Sequence, residues 1–525
     1  MTTLLTDNLP LLAGAPNGIK KLRELILELA VRGKLVPQDP SDEPASELLK
    51  RIAEEKARLV AEGKIKKQKA LSERDAEDPT FELPASWVWA RLADVVNVLN
   101  GRAYKKEELL DAGTPVLRVG NLFTSNHWYY STLTLEEDKY CNPGDLLFAW
   151  SASFGPFIWH GERSIYHYHI WKLDFYATGQ LSKHYLYNYL LEQTQEIKAA
   201  GHGVSMVHMT KEKMEKLAVP VPPLAEQDRI VAKVDELMAL CDRLEAQQTD
   251  AESAHAQLVH ALLNSLTQAS DATDLAANWQ RLAEHFHTLF TTESSIDTLK
   301  KTLLQLAVMG KLVPQDVNGC SQERLPAGWS AIKIEDFCTV QGGIQKTPLR
   351  RPILQHFPYL RVANVQRGRI DAKELERYEL SLNELEKWRL NAGDLLIVEG
   401  NGSENEIGRC AIWQGEVADC VYQNHLIRVR PKVCEQVNFL ALYLNSPIGI
   451  AHMKRLAITT SGLFNLSVGK IRSIPVALPP IPEQRRIVVK VDQLMALCDQ
   501  LRTHLTQARQ LNEQLASMLV EQAVV

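Results

Sequence analysis

From Ile230 onward the chain places residues of one helical stripe in alternating steps of four and three: Ile230, Val234, Leu237, Cys241, Leu244, then Gln248, Ala251, His255, Leu258 and Leu262. The cadence returns at Ile487 and runs through Val491, Leu494, Cys498, Leu501, Leu505, Ala508, Asn512, Leu515 and Leu519. Spacing that averages about 3.5 residues draws one narrow apolar seam along a helix, and such a seam needs a facing helix to cover it. Each seam is expected to face the other. Gln248, His255 and Asn512 read as polar seam residues that fix register. Pro222 and Pro223, like Pro479 and Pro480, stand where each pattern begins. Proline suits a helix start, where its missing N–H would have had no partner.

Ahead of each helix the texture changes. Short aromatic and β-branched runs such as "GDLLFAW", "PFIWHG" and "HIWKLDF" are broken by turn residues, the mark of a compact α/β or mixed β domain. These domains recur as copies. "IKKLRELILELAVRGKLVPQD" returns as "IDTLKKTLLQLAVMGKLVPQD", "LPASW" as "LPAGW", "PVLRVGN" as "PYLRVAN", "NPGDLLF" as "NAGDLLI" and "IYHYH" as "VYQNH". "EQDRIVAKVDELMALCD" becomes "EQRRIVVKVDQLMALCD". The expected organisation is a helical region with a charged insertion (1–80), a first globular domain (81–221), a central helix (222–268), a helical linker repeating the N-terminal region (269–324), a second globular domain (325–478) and a C-terminal helix (479–525). The insertion follows "VPQD" in the first copy only. Leu48, Leu49, Ile52, Ala57 and Val60 give it a weak helical stripe, expected to be a solvated accessory helix with the basic exit "KIKKQK", with a partner or DNA-backbone contact as the alternative.

At 525 residues the chain has room for several domains of ordinary size, about 100 to 200 residues each. No run approaches the ~18 apolar residues of a membrane span, and the opening "MTTLLTDNLP" lacks a basic segment ahead of an apolar core. A cytoplasmic location without membrane contact is therefore expected. Eight scattered cysteines show no metal-ligand spacing. A net charge of −5 argues against indiscriminate nucleic-acid binding but leaves room for local basic surfaces.

No catalytic motif matches. "GNGSENEIG" and "GLFNLSVGK" lack dinucleotide and phosphate-loop spacing, and there is no nucleophile elbow, zinc helix or base-methylation tetrad. Both glycine-rich stretches read as turns. Histidines at 160, 167, 169, 202 and 208 do not recur as a set; only His169 has a counterpart, His425, and a core or hydrogen-bonding role suits that pair. What remains is a mixture of basic, amide and aromatic residues in "NGRAYKK", "LRVGNLFTSNHWYY", "QGGIQKTPLRR" and "LRVANVQRGR", suited to phosphates and base edges. The same spacing also suits a plain strand and turn.

Two globular segments, each closed by a Pro-Pro…Glu-Gln helix and carrying "LRVGN/LRVAN" and "GDLL" blocks, resemble the specificity subunit of a type I restriction–modification system over almost the whole chain. The resemblance implies an α+β fold of two tandem target recognition domains, with the repeated helices paired as an antiparallel coiled coil about a pseudo-two-fold axis. It implies a non-catalytic subunit that reads a bipartite, asymmetric target on double-stranded DNA. Its partners would be two modification and two restriction subunits, which would carry adenine methylation, ATP-dependent cleavage, S-adenosylmethionine, ATP and Mg. Candidate DNA-binding residues are Arg102, Lys105, Lys106, Arg118 and Asn121 in the first domain, and Lys346, Arg350, Arg351, Arg361, Asn364 and Asn424 in the second. The coil seam is assigned to Ile230, Val234, Leu237 and Leu244 with Ile487, Val491, Leu494 and Leu501. Residues common to both copies, Arg118 with Arg361 and Asn121 with Asn364, suit scaffold or phosphate positioning, since they cannot alone distinguish two half-sites. The alternative is a coiled-coil adaptor carrying two protein-binding domains.

Overall fold

Leu224–Gln268 and Ile481–Val524 each form one unbroken helix, of 45 and 44 residues. The computed structural model describes residues 9–66, 81–151, 154–200, 209–314, 325–401, 406, 408–460 and 463–524. It divides into two units inside those helices: residues 1–250 with 509–525, and residues 251–508.

In the first unit the chain enters the globular domain on the strand Val88–Arg91 and leaves on Ala218–Val221, and these two strands pair antiparallel. The pairing delivers the prolines and the start of the long helix beside Trp87. There the fully buried Glu226 accepts the Trp87 indole N–H at 2.9 Å and the Gln38 amide at 2.5 Å. Gln227 turns back to Pro222 O at 3.0 Å and accepts Ser182 N–H at 2.7 Å. The second unit repeats the clasp: Ser330–Lys333 pairs with Pro475–Leu478, Trp329 donates to the buried Glu483 at 3.0 Å, and Gln484 returns to Pro479 O at 2.7 Å. Burial pushes the Glu226 carboxyl up, against the opposing pull of the Trp87 and Gln38 hydrogen bonds.

The helices Gly18–Val31 and Glu293–Val308 end alike. Gly33 and Gly310, at φ of 70° and 71°, let Lys34 N–H reach Leu29 O and Lys311 N–H reach Leu306 O, both at 2.9 Å. This left-handed stop is open to glycine at little strain. In the first unit it also lies against the clasp, for a Cβ on Gly33 would sit 2.5 Å from Pro84 Cγ.

Within each globular domain two sheets follow one plan. The first domain has the antiparallel order Val96–Asn100, Ile170–Phe175, Leu146–Ala149, Gly155–Ile158, and a mixed sheet ordered Tyr129–Ser131, Thr114–Leu117, Ser164–Tyr166, Tyr140–Cys141. The second has Cys338–Gly342, Leu426–Pro431, Asp394–Val398, Cys410–Trp413, and Glu376–Glu379, His356–Leu360, Val421–Tyr422. The "N-x-G-D" repeat is a tight turn before a central strand. Gly144 and Gly393 take φ of 89° and 90°, and each aspartate caps the turn from inside, with Asn142 N–H to Asp145 and Asn391 N–H to Asp394 at 2.8 Å. "GLFNLSVGK" is not simply a turn: it holds the strand Leu463–Asn465 and the helix Val468–Arg472.

The long helices pair as expected, early part of one with late part of the other. Leu237 and Cys241 share the first unit's core with Ala516 and Ala523, and Val259 and Leu263 share a cluster with Cys498 in the second. The seam's period, however, differs from expectation. Leu258 and Leu515 are 53% and 40% exposed, while Val259 and Ala516 are buried. Gln248, Ala251, Ala508 and Asn512 are also exposed, whereas His255 is half-buried with a ring nitrogen 3.1 Å from Thr288 O. An α-helix slips about 20° per heptad against a 3.5-residue repeat, so over four heptads the buried face moves by nearly one residue. Ile230 to Leu266 and Ile487 to Ala523 are both ten turns at 3.6 residues.

The first-copy insertion also departs from its expected solvated state. Ala45–Ala61 is a helix whose Leu48 and Ile52 are fully buried against the first unit's core. Lys56 donates to Ala93 O at 2.6 Å and Arg51 to Gln180 at 2.8 Å, tying it to the globular domain. Half of the basic exit, residues 67–69, lies outside the described residues.

Replacing Trp87 with Phe removes one donor from a fully buried carboxylate, an expected loss of about 1–3 kcal/mol. With less support the Glu226 carboxyl moves further up, and a raised acid withdraws stability as pH climbs past its unfolded value. The Trp87→Phe deficit, followed as a melting midpoint by circular dichroism, should therefore be larger at pH 8 than at pH 5. Equal deficits would show that the hydrogen bond does not support the charged form.

Candidate nucleic-acid interface

Parallel strand pairing gathers the candidate site. Thr114–Leu117 runs parallel to Ser164–Tyr166, so both strands end at one edge and the residues that follow, Arg118 and His167, become neighbours. Parallel pairing of His356–Leu360 with Val421–Tyr422 does the same for Arg361 and Gln423. The turn after the second strand is held by main-chain bonds that match between domains. His167 N–H donates to Leu117 O and Gln423 N–H to Leu360 O, both at 2.9 Å; Tyr168 N–H donates to Arg102 O at 3.0 Å and Asn424 N–H to Ile344 O at 2.9 Å. Below the turns lie Gly101 and Gly343, where a Cβ would come within 2.3 Å of His167 O and Gln423 O.

Asn121 and Asn364 hold the loop around them through their hydrogen bonds. Asn121 accepts Arg118 N–H at 3.2 Å and donates to His127 O at 2.8 Å; Asn364, nearly buried, accepts Arg361 N–H at 2.9 Å and donates to Asp371 O at 2.9 Å. Both amides pin the loop that presents the arginine. Several candidate cations are already paired. Arg102 meets Glu108 at 2.7 Å, and holds that carboxyl below its usual range. Glu376 lies between Arg361 at 3.0 Å and Lys346 at 3.3 Å, and Arg350 meets Glu384 at 3.0 Å. Lys105, Lys106 and Arg351 are exposed. Arg118 is exposed too, its guanidinium 5.3 Å from the centre of the Tyr129 ring. The Asn424 amide has no hydrogen-bond partner among the described residues.

An aromatic group in the first domain escaped the sequence reading. Tyr168, 41% exposed, lies between His167 and His169, with ring centres 4.4 and 3.9 Å away, and His169 packs edge-on to Trp150 at 4.9 Å. The second domain has Gln423, Asn424 and His425 instead, with a His425 ring nitrogen 3.3 Å from Glu399. Alignment of "IYHYH" with "VYQNH" was the available signal, but nothing in it revealed that the turn lies beside Arg118. Burial, with the nearby His169 and Arg118 charges, lowers the His167 pKa to about 4, and burial chiefly lowers that of His169. A neutral imidazole keeps one ring nitrogen as acceptor. His202 and His208 lie outside the described residues.

The sequence profile of the type I restriction modification DNA specificity domain matches residues 84–252 and 326–509. The chain is 32% identical to the type I restriction enzyme EcoEI specificity subunit of Escherichia coli, covering 97% of this chain and 94% of that one. Identity to the EcoAI specificity subunit of the same organism is also 32%, with the same coverage. A solved structure from work on assembly and conformational transition of the type I R-M system is similar at 17% identity and TM-score 0.49, covering 85% of this chain and 99% of that one.

Histidine-specific NMR of the labelled chain, with the His167 resonance assigned through His167→Gln, should show that ring neutral through pH 6 and titrating near 4. By linkage His167 then withdraws stability as pH falls from about 6.5 toward 4, since the unfolded ring takes up its proton first. A midpoint at the ordinary 6.5 would contradict the burial of this side chain in the turn.

Proposed function

The chain belongs to the type I restriction–modification DNA specificity family, a non-catalytic DNA-recognition subunit, and from that premise we propose that it reads a bipartite, asymmetric duplex target and brings partner subunits to it. Each recognition domain reads one half-site. Two modification subunits and two restriction subunits supply adenine methylation and ATP-driven cleavage, and with them the S-adenosylmethionine, ATP and Mg that this chain does not bind. The observation that carries the reading is duplication with divergence: one clasp, one turn set and one sheet plan occur twice, with different side chains at the corresponding strand-end edge. Identical readers would select a repeated half-site; different ones select two sequences.

Arg118 and Arg361 are assigned to phosphates, where they set register without carrying sequence information. Lys105, Lys106 and Arg351 extend that role, while Arg102, Lys346, Arg350 and Arg361 exchange a carboxylate partner for phosphate on binding. Net charge of −5 is compatible with such local contacts, because neutralisation depends on the cations at the groove and not on the total.

Exchanging residues 325–475 for the matching segment of a relative with a different target should alter one half of the methylated motif and leave the other unchanged, read by sequencing DNA methylated by the assembled complex. Changes in both halves, in a complex that assembles normally, would refute one reader per half-site. Arg361→Ala should weaken binding to cognate and random duplexes by a similar factor and flatten the salt dependence, by about one unit of log–log slope. A selective loss on cognate DNA would instead make Arg361 a base reader.

A further inference from the structure

We propose that the two-residue turn tips, His167 with Tyr168 in the first domain and Gln423 with Asn424 in the second, are the specificity-determining pairs, each reading base edges in its own half-site. The proposal deepens the bipartite reading above and rests on it.

Four observations converge on these positions. The main-chain frame of the turn is the same in both domains: besides the bonds already described, Ile170 N–H returns to His167 O at 2.9 Å and Leu426 N–H to Gln423 O at 2.8 Å. Trp150 N–H reaches His169 O at 3.1 Å and Glu399 N–H reaches His425 O at 2.9 Å. The shape of the turn therefore does not depend on which side chains sit at its tip. Second, the chemistry at the tip differs between domains, imidazole and phenol in one and two amides in the other, whereas the third position is histidine in both. A difference in half-sites must come from residues that differ.

Third, the tip is available. Tyr168 is 41% exposed, and the Asn424 amide has no hydrogen-bond partner among the described residues. Gln423 makes only a long contact there, its oxygen 3.4 Å from Val362 N. An amide can present a donor and an acceptor together to an adenine edge, and a phenol or neutral imidazole can offer one of each. Fourth, the turn is flanked by the cation assigned to phosphate, exposed Arg118 in one domain and half-buried Arg361 in the other, since His167 and Gln423 bond directly to the residue before each. The phosphate anchor and the base reader are thus fixed to each other by one main-chain hydrogen bond.

The test is a reciprocal graft in the complete complex: His167→Gln with Tyr168→Asn, and separately Gln423→His with Asn424→Tyr. Methylated motifs are sequenced, and binding is measured to the cognate duplex, to single-base-pair variants and to random duplex. Each graft should change the motif at one or two base pairs of one half-site only. Discrimination at those pairs should fall by about tenfold or more, the scale of one lost base contact, with random-duplex affinity little changed. Tyr168→Phe alone, which removes only a hydroxyl, should relax the motif at no more than one of those pairs. An unchanged motif in both grafts would overturn the proposal, as would an equal loss on every duplex. Failure of the grafts to co-purify with partner subunits would refute the claim that main-chain bonds hold the frame. Absence of any sequence preference in the unaltered complex would instead bring down the functional reading itself.

Discussion

The arrangement depends on a carboxylate buried at the first turn of a long helix and an indole N–H aimed at it. Glu226 and Glu483 are almost wholly removed from water, so each must be met by donors, and Trp87 and Trp329 supply them at 2.9 and 3.0 Å. A negative charge at that position also suits the positive end of a helix. Because the tryptophan precedes the incoming strand and the glutamate follows the outgoing one, a single hydrogen bond fixes where a domain of more than a hundred residues begins and ends. The paired strands Val88–Arg91 and Ala218–Val221 prevent it from sliding, and the second unit uses the same device. A domain closed at its neck in this way can change its far surface without disturbing the helix that carries it.

That separation accounts for the distribution of sequence similarity between the two copies. Each stretch common to both has a mechanical duty: "LPA" with its tryptophan and "PP" with its Glu-Gln make the clasp, "GKLVP" makes the helix stop, "N-x-G-D" makes the tight turn and "LRV-x-N" pins the arginine loop. Chemistry able to discriminate bases lies between these stretches. The acidic total charge fits the same division. Glu108, Glu376 and Glu384 pair with cations at the candidate surface, and exposed pairs of this kind contribute only about 0–1 kcal/mol. Phosphate can replace such a partner with little loss of fold stability.

Much of the frame was legible in the sequence because its signals are local: doubled prolines, a glycine after an apolar helix, a heptad cadence and the repetition of all three. Ile230, Val234, Leu237 and Cys241 are buried, whereas Gln248, Ala251 and Leu258 farther along the expected seam are exposed, because 3.5 and 3.6 residues per turn separate only over several heptads. Burial of Leu48 and Ile52 was missed because two apolar residues among charges give the same pattern whether the helix is solvated or docked through one narrow edge. Asn121 and Asn364 were grouped with the DNA-binding candidates because residue type says nothing of what an amide already holds. The turn tips were least visible. His167 is brought to Arg118 by a parallel strand pairing across some fifty residues, and no periodicity records that.

Photo-crosslinking tests the central claim most directly: two differing tips on one frame read separate half-sites. A benzophenone side chain placed at Tyr168 in one complex and at Asn424 in another, each irradiated on the cognate duplex, reports the nucleotides nearest each tip. The account predicts attachment from position 168 within one half-site, attachment from 424 within the other, and loss of both signals on random duplex. Crosslinks from both positions to the same half-site, or to the unspecified bases between the halves, would contradict it.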